Sequence, residues 1–522
     1  MILLINGRIG YSALTRQSSA LAVDGDRILA IGSDAQILAL ATPNSQTIDL
    51  AGQTVLPGLT DAHLHMGMYS DFLQLIDCEV HSMQECLQKV KQRAAKLPAD
   101  AWVLGHGWNQ NTWQGQFGTA AELDAVSKGH PAFLTDKSLH SAWVNTAALR
   151  LAGIDASTPD PVGGIIQRDA TGAPTGILFE TAVLLVENII PSLSPTQREQ
   201  AYLVAQSQLI SFGLTSVHDF DSLTSFETLL SLHSQGKLLL RVCKSIPFEK
   251  LDWAIEQGIR TGDGDDQLRW GSLKLFADGA LGPQTAAMLR PYAGSTDKLG
   301  KLQLSADDVF ETGIKASSHG ISLAVHAIGD RATHEVLNGF GMLREYEKRH
   351  ALPRLKHRIE HVQLLHPDNL KKAAQLDLVA SMQPVHATSD MFTADLYWQE
   401  RCRYAYAWKT LADAGTTLVY GSDAPVESPN PFWGIHAAVT RRRQDGSPSP
   451  EGWYPQEKIS LQAALDGYTK QPAALVGFNT GALQVGKFAD LLIIQENLDT
   501  IESQQLFTIQ PQRRMLAGKW VG

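Results

Sequence analysis

The sequence is poor in cysteine and contains no long hydrophobic run. Its four cysteines, Cys78, Cys86, Cys243 and Cys402, form no Cys-x-x-Cys pair. That spacing argues against a disulfide framework and favours a reducing compartment. No stretch approaches the ~18 apolar residues needed to span a bilayer, and the first residues, MILLINGRIG, lack the basic start of a secretory signal. We therefore expect a cytoplasmic protein with no membrane partner.

Basic charge is also scarce. The 522 residues include 44 Lys and Arg against 54 Asp and Glu, which gives a formal net charge of −10. This balance argues against binding to nucleic acid. The basic cluster 441–443 runs into the loop-like stretch QDGSPSPEGW and is interpreted as a solvated loop edge. We expect a small molecule as the partner, and a homo-oligomer is left open.

Both ends of the chain are rich in short strand patterns. Residues 1–55 and 478–522 each show alternating apolar runs separated by turns, and neither end has enough strands for a sheet of its own. The economical interpretation is one small β-sandwich domain built from both termini. The chain would leave this domain at Pro57-Gly58 and return near Gly477.

Between the two ends, residues 56–477 alternate apolar strand patterns with helical patterns. Eight strand candidates stand out, namely 54–65, 214–220, 238–246, 268–279, 321–329, 357–363, 378–385 and 417–426. Eight parallel strands with intervening helices predict an α/β fold of the (β/α)8 TIM barrel type. A doubly wound sheet is the competing architecture, but it usually carries a Gly-rich turn after its first strand. The long segment 68–210 is interpreted as a large insertion after strand 1, folding over the barrel mouth.

The first barrel strand ends in the phrase TDAHLH, where His63 and His65 are one residue apart. Alternate residues of a strand face the same side, so both imidazoles can hold one ion. For this pair alone, the alternative is that the two histidines are ordinary polar residues of a half-buried strand and bind no ion. Four further metal-ligand candidates lie in other predicted strands, Lys274 within its strand and His326, His361 and Asp423 toward the ends of theirs. Because active sites of such barrels lie at the strand C-termini, the six together predict a metal centre.

Lys274 is unusual because it is a charged residue inside an apolar strand. Burying a charged amine costs several kcal/mol unless it loses its proton or finds a partner. A neutral lysine can react with CO2 to form a carbamate, an anionic ligand able to bridge two cations. The alternative is an ordinary ion pair between Lys274 and Asp278.

The six residues and the phrases around them resemble the amidohydrolase superfamily. The phrases PGLTDAHLH, LKLFADGALG, HAIGDRA, HRIEHVQ and GSDAPVESPNP are similar to the amidohydrolase-3 branch, which includes N-substituted formamide deformylases. The resemblance implies hydrolysis of an amide-type C–N bond by metal-activated hydroxide. It implies that His63, His65 and Asp423 hold one divalent metal, that His326 and His361 hold a second, and that carbamylated Lys274 bridges them. Zinc is the favoured metal, and manganese, iron and the number of ions are left open.

Asp423 is the expected catalytic residue, since a carboxylate at the metal can orient the water and carry its proton to the leaving amine. Six residues are candidate substrate contacts, each with a structural role as the alternative, namely His140, Asp278, Gly279, Arg331, Gln383 and His386.

Two competing functions remain at this point. A mononuclear deaminase uses the same barrel but typically needs a Glu three residues after the strand-5 histidine, where this chain has its first acid, Asp330, at the fourth position. A non-catalytic relative would keep the barrel without the metal.

Overall fold

The computed structural model describes residues 1–11, 17–99, 101–113 and 115–521. By its internal packing the chain divides into two compact units, one formed by Met1–Tyr69 with Tyr202–Gly522 and the other by Ser70–Ala201. No helix within the described ranges is both long enough and apolar enough to cross a membrane.

The strands within the described ranges are β1 (Ile2–Ile5), β2 (Arg8–Ile9), β3 (Ala20–Asp24), β4 (Arg27–Gly32), β5 (Gln46–Asp49), β6 (Thr54–Pro57), β7 (Leu59–Leu64), β8 (Ile76–Asp77), β9 (Val103–Trp108), β10 (Ala132–Asp136), β11 (Ser141–Val144), β12 (Gly164–Arg168), β13 (Pro174–Glu180), β14 (Leu214–Asp219), β15 (Arg241–Pro247), β16 (Leu268–Phe276), β17 (Leu323–Ala327), β18 (Arg358–His361), β19 (Val379–Met382), β20 (Thr417–Tyr420), β21 (Leu491–Ile494), β22 (Arg513–Leu516) and β23 (Lys519–Val521).

The α-helices in the same ranges are α1 (Asp34–Leu38), α2 (Met66–Phe72), α3 (Met83–Ala94), α4 (Ala120–Ser127), α5 (Thr146–Leu151), α6 (Leu184–Glu187), α7 (Pro195–Ser211), α8 (Leu223–Ser234), α9 (Leu251–Glu256), α10 (Ala306–Ser317), α11 (Asp330–Arg349), α12 (Lys372–Gln375), α13 (Pro384–Trp398), α14 (Trp408–Asp413), α15 (Pro431–Thr440), α16 (Leu461–Gly467) and α17 (Lys470–Val476). Short 3-10 helices lie at Phe248–Lys250, Pro367–Asn369, Gln399–Tyr404, Pro455–Glu457 and Ser503–Thr508.

A parallel eight-stranded barrel forms the centre of the first unit. Its strands follow the order β7-β14-β15-β16-β17-β18-β19-β20. The end of β7 meets the segment after β20 through two backbone hydrogen bonds, from Asp423 N to His63 O (2.7 Å) and from His65 N to Ala424 O (2.9 Å). Strands β7 and β14 are buried at every position, as expected for parallel strands covered on both faces. The predicted TIM barrel is confirmed.

The first predicted strand, residues 54–65, is divided into β6 and β7. Gly58 lies at the break and its N–H donates to Asp490 O (2.8 Å). A Cβ atom at Gly58 would lie 2.1 Å from Thr215 Oγ1, so only glycine lets the chain pass here. Strand β6 belongs to a terminal sheet, whereas β7 belongs to the barrel.

Strands from both ends of the chain form two further sheets. One has the order β4-β3-β1-β5, and the other has the order β2-β6-β21-β22-β23. The antiparallel pairing of β6 with β21 joins the two termini. Buried side chains from both sheets, among them Leu21, Val55, Leu491 and Met515, form one apolar cluster. The predicted sheet domain from both termini is therefore present, while the boundaries 1–55, 478–522 and 56–477 stay predictions.

The second unit has a sheet of its own, which the sequence did not reveal. Its strands run in the order β12-β13-β11-β10-β9-β8. Trp108 and Trp143 are buried in its core. Their indole N–H groups donate to Leu134 O (2.7 Å) and Thr119 O (2.8 Å). The unit spans Ser70–Ala201, and the predicted insertion bounds 68–210 stay a prediction.

The interpretation of residues 441–443 as a solvated edge is wrong for Arg441. This side chain is only 1% exposed. Its Nε donates to Trp453 O and its Nη1 to Tyr406 O, both at 2.7 Å. The guanidinium also lies 4.4 Å from the ring centroid of Trp408. A planar cation with five donors can be buried when carbonyls and aromatic faces replace its water.

Candidate active site

The first cluster of the candidate site forms where the barrel closes. His63 and His65 come from the end of β7, and Asp423 follows β20. Nε2 of His63 lies 3.5 Å from Asp423 Oδ1, and Nε2 of His65 lies 3.2 Å from the same oxygen. One ligand atom from each residue falls within 4.8 Å of the others, so the three could hold a metal ion.

His63 is oriented by a buried carboxylate. Its Nδ1 lies 2.6 Å from Glu360 Oε2, and both side chains are fully buried. Because the carboxylate accepts the Nδ1 hydrogen, the lone pair of the ring is on Nε2. That nitrogen is buried and has no hydrogen-bond partner among the described residues. An unsatisfied buried atom calls for an explanation, and a cation bound to Nε2 supplies one.

His65 is oriented in the same manner. Its Nδ1 lies 3.3 Å from Asp221 Oδ1, and Asp221 Oδ2 accepts the backbone N–H groups of Gly67 and Met68. Burial disfavours the charged imidazole, but the hydrogen bonds and charges of Asp221 and Asp423 outweigh it and raise the pKa of His65 to about 9. The negative field that raises this pKa equally favours a metal cation.

A second cluster lies beside the first. One ligand atom each from His361, His386 and Asp423 falls within 4.8 Å of the others. The Nδ1 atom of His361 donates to Gln383 Oε1 (2.9 Å), which leaves Nε2 as its lone-pair nitrogen. The ring centroids of His326 and His361 are 4.5 Å apart. Among the described residues His326 belongs to neither three-residue group.

His326 and Gly279 meet through a hydrogen bond. Nε2 of His326 lies 3.0 Å from Gly279 O. A carbonyl oxygen only accepts, so Nε2 carries the hydrogen and Nδ1 is free as a ligand atom. This tautomer is the one that a metal ligand from β17 would need.

Lys274 is buried in β16 without a carboxylate partner within the described ranges. Its Nζ lies 4.7 Å and 4.9 Å from the ring centroids of Phe220 and Phe276, and burial lowers the pKa of Lys274 to about 8. The alternative of an ion pair with Asp278 does not occur. Asp278 instead accepts the backbone N–H groups of Ala287 (2.8 Å), Ile328 (3.0 Å) and Gly329 (2.8 Å).

The electrostatics of the cluster suit a divalent cation. Burial and the nearby Lys274 charge lower the pKa of His63 to about 4 and that of His326 to about 3. Burial and the charge of His326 hold the pKa of His361 well below its usual value. Burial opposes ionisation of Asp423, yet the surrounding histidines hold its pKa well below the ordinary range. The imidazoles of His63, His326 and His361 are therefore neutral and ready to bind a metal, whereas His65 has to release its proton first.

Two of the proposed ligands have strained backbone conformations. His361 has φ of 72° and Asp423 has φ of 61°, in the left-handed region that side-chain-bearing residues rarely adopt. Such strain costs about 1–3 kcal/mol per residue and persists when the surrounding structure and function require it.

The remaining residues predicted to contact the substrate differ in their surroundings. Arg331 is partly exposed in the first turn of α11, where its backbone N–H donates to Ala287 O (3.1 Å). His140 lies in the second unit with a side chain 70% exposed and paired with Glu180 at 3.0 Å. The substrate roles of His140, Arg331, Asp278, Gly279, Gln383 and His386 stay predictions.

Two orienting carboxylates were missed by sequence reasoning. Glu360 directly precedes His361 in the fully buried strand β18, and Asp221 follows the end of β14. The signal for Glu360 is the one already noticed for Lys274, namely a charged residue inside a buried strand. A charged side chain in such a place needs a partner, and for Glu360 the partners are His63 and Arg358.

A parallel barrel with clustered histidine and carboxylate side chains at the ends of its strands is typical of metal-dependent barrel hydrolases. The chain belongs to the Amidohydrolase family, whose sequence profile matches residues 46–521. It is accordingly a metal-dependent hydrolase that acts on C–N bonds.

Individual relatives cover nearly the whole chain. The chain is 31% identical to the YtcJ protein of Bacillus subtilis over 493 residues, covering 92% of this chain and 91% of the relative. It is 27% identical to the N-substituted formamide deformylase of Arthrobacter pascens over 542 residues, covering 99% and 97%. Among solved structures, an uncharacterized metal-dependent hydrolase from Pyrococcus furiosus matches with a TM-score of 0.77 and 29% identity, covering 95% and 99%.

Proposed function

We propose that this protein hydrolyses the C–N bond of small N-substituted amides, with N-substituted formamides as the first substrates to test. The observation that carries the proposal is the buried Nε2 of His63, which no described residue hydrogen-bonds and which lies beside His65 and Asp423. The similarity to a protein named N-substituted formamide deformylase supports the substrate class.

The ligand set divides into two groups. In this proposal His63, His65 and Asp423 hold one ion, and His326 and His361 hold a second. Zinc is the first choice because imidazole and carboxylate ligands with open positions suit it. A bound divalent cation lowers the pKa of water from 15.7 to about 7 and polarises a carbonyl oxygen.

Asp423 is the proposed acid–base residue. Oδ1 faces His63 and His65, whereas Oδ2 faces His386 at 3.9 Å. The carboxylate is ionised in the free protein, so it can accept the proton of the attacking water. The water oxygen bonds to the carbonyl carbon, the C–N bond then breaks, and Asp423 passes the proton to the amine nitrogen. Proton transfer of this kind contributes roughly 10²–10⁴ in rate.

The test is a hydrolysis screen with zinc-loaded protein. N-benzylformamide, N-butylacetamide and a cyclic urea would be incubated with the enzyme, and release of the amine would be measured. We expect turnover of the open-chain N-substituted amides and none by metal-stripped protein. Fully loaded, folded protein that releases amine from no member of the panel would refute the proposal.

The bridging role of Lys274 is a separate part of the proposal. Its burial and the lack of an ion-pair partner among the described residues support a neutral amine that reacts with CO2. We expect about two zinc ions per chain after reconstitution with bicarbonate, and about one for Lys274→Ala or in CO2-free buffer. Equal metal content in all three preparations, measured by plasma mass spectrometry, would remove the carbamate from the proposal.

The cytoplasmic location and a homo-oligomeric state also remain proposals. The first is supported by the four cysteines, which are all free and buried.

A further inference from the structure

Three buried polar atoms around His361 and His386 have no hydrogen-bond partner among the described residues. They are Nε2 of His386, Nε2 of Gln383 and Oε1 of Gln363. Each such atom costs about 1–3 kcal/mol when its hydrogen bond with water is not replaced. All three residues follow the ends of β18 and β19, on the side of the cluster where His361 and Asp423 lie. A bound molecule that brings its own polar groups would satisfy them.

The hydrogen on His386 is placed by Gln363. The amide nitrogen Nε2 of Gln363 lies 3.3 Å from Nδ1 of His386. An amide nitrogen only donates hydrogen bonds, so Nδ1 is the acceptor and Nε2 of His386 carries the hydrogen. A nitrogen that carries a hydrogen has no lone pair for a metal. His386 is therefore close enough to His361 and Asp423 to be a ligand but holds the wrong tautomer for that role.

The Nε2–H group of His386 is directed toward the reacting region. Nε2 lies 3.9 Å from Asp423 Oδ2, which is beyond hydrogen-bonding distance. The ring is parallel to that of His361, with an interplanar angle of 3° and centroids 6.1 Å apart. His386 is 6% exposed, so water reaches the donor poorly. A fixed donor in a water-poor position is the arrangement that stabilises developing negative charge.

We propose that His386 donates the hydrogen on Nε2 to the carbonyl oxygen of the substrate, and that Gln363 is the positioning residue that fixes this tautomer. The inference rests on the proposed amide hydrolysis. As the water oxygen bonds to the carbonyl carbon, the π electron pair of the C=O bond moves onto oxygen and the hydrogen bond from His386 strengthens. When the C–N bond breaks, the pair returns to the C=O bond and the amine leaves with the proton from Asp423. His386 keeps its hydrogen throughout.

The first experiment replaces the donor. His386→Phe keeps a planar ring of similar size and removes the N–H group. We expect kcat to fall about 10²–10³-fold with KM changed less than about threefold, because the hydrogen bond strengthens mainly in the transition state. The zinc affinity of the apo protein, measured by calorimetry, should remain within about threefold of wild type. A loss of zinc affinity greater than about tenfold would show that His386 is a ligand and overturn the inference, as would an unchanged kcat.

The second experiment changes the tautomer while His386 stays in place. In Gln363→Glu the carboxylate accepts a hydrogen from Nδ1, which turns the lone pair of Nε2 toward Asp423. In the matched control Gln363→Met neither tautomer is imposed. We expect kcat to decrease in the order wild type, Gln363→Met, Gln363→Glu, with melting temperatures of both variants close to wild type. Equal kcat for the two variants, or the reverse order, would overturn the positioning role.

The proposed function and the donor role of His386 can fail separately. If wild-type protein hydrolyses the amide and Asp423→Asn does not, while His386→Phe retains full kcat, the proposed function stands and the donor role of His386 falls. If wild-type protein hydrolyses no amide in the panel, both fall together.

Discussion

Two buried histidine–glutamate pairs lie in the same barrel. They differ in what the second ring nitrogen of the histidine contacts. In the first pair Nδ1 of His63 lies 2.6 Å from Glu360, and in the second Nε2 of His357 lies 2.9 Å from Glu347. Both histidines are fully buried. The other nitrogen of His357 accepts the backbone N–H of Leu323 at 2.9 Å, whereas the other nitrogen of His63 has no partner in the described part of the chain.

His357 is thereby distinguished as a structural histidine from His63, a proposed metal ligand. Burial and a carboxylate neighbour are common to both, so neither property identifies the metal site. The distinguishing feature is that His357 makes hydrogen bonds with both nitrogens, whereas His63 leaves one nitrogen for another atom to occupy.

The largest expected effect separates metal binding from catalysis. Asp423→Asn keeps an oxygen at the metal but cannot accept a proton from water. We expect kcat for amide hydrolysis to fall about 10²–10⁴-fold, with the fold retained and most of the metal still bound. Steady-state kinetics and metal analysis of the same preparation check this, and near-normal kcat would remove Asp423 from the acid–base role.

Replacing the two histidines should give opposite results for metal binding. His63→Ala removes a proposed ligand, so we expect loss of the zinc ion assigned to His63, His65 and Asp423. His357→Ala leaves the Leu323 amide unpaired and should lower the free energy of unfolding by about 3 kcal/mol, with zinc content unchanged. Loss of zinc in His357→Ala, measured on folded protein, would contradict the comparison.

A smaller effect is expected when the glutamates are replaced. Glu360→Gln weakens the orientation of His63, and we expect zinc affinity to fall about 10–100-fold. Glu347→Gln is the matched control and should leave zinc affinity within about twofold of wild type. Competition with a chelating dye gives both affinities, and equal losses would show that the two carboxylates do not differ in role.

The smallest expected effect is the pH dependence of stability that arises from the pair of His357 and Glu347. Burial opposes ionisation of Glu347, but His357 and Arg344 outweigh it and lower its pKa to about 2. Because the folded pKa is below the unfolded value, the carboxylate stabilises the fold above about pH 4.5 and the contribution is lost as pH falls toward 2. At pH 6 we expect the free energy of unfolding of metal-free wild type to exceed that of Glu347→Gln by roughly 1–2 kcal/mol. This difference should shrink below pH 4.5. A stability difference independent of pH would contradict this assignment.

Much of the barrel could be predicted from sequence because its strands are buried on both faces and read as apolar runs. The residues proposed as ligands were found because histidine, lysine and aspartate are conspicuous at the ends of such runs. The orienting partners were not found, since the contact between Glu360 and His63 joins β18 to β7 and depends on barrel closure. The buried Arg441 was missed for a similar reason, because its carbonyl partners come from other segments.

The closure of the barrel by His63 and Asp423 has a consequence for biosynthesis. The backbone bonds that seal the barrel are made by the same residues that form the first cluster. A nascent chain that has not yet emerged beyond Asp423 lacks one of the three proposed ligands and the backbone hydrogen bonds that align the other two. In the proposed arrangement, metal binding by this cluster therefore has to wait until the segment after β20 has paired with the end of β7.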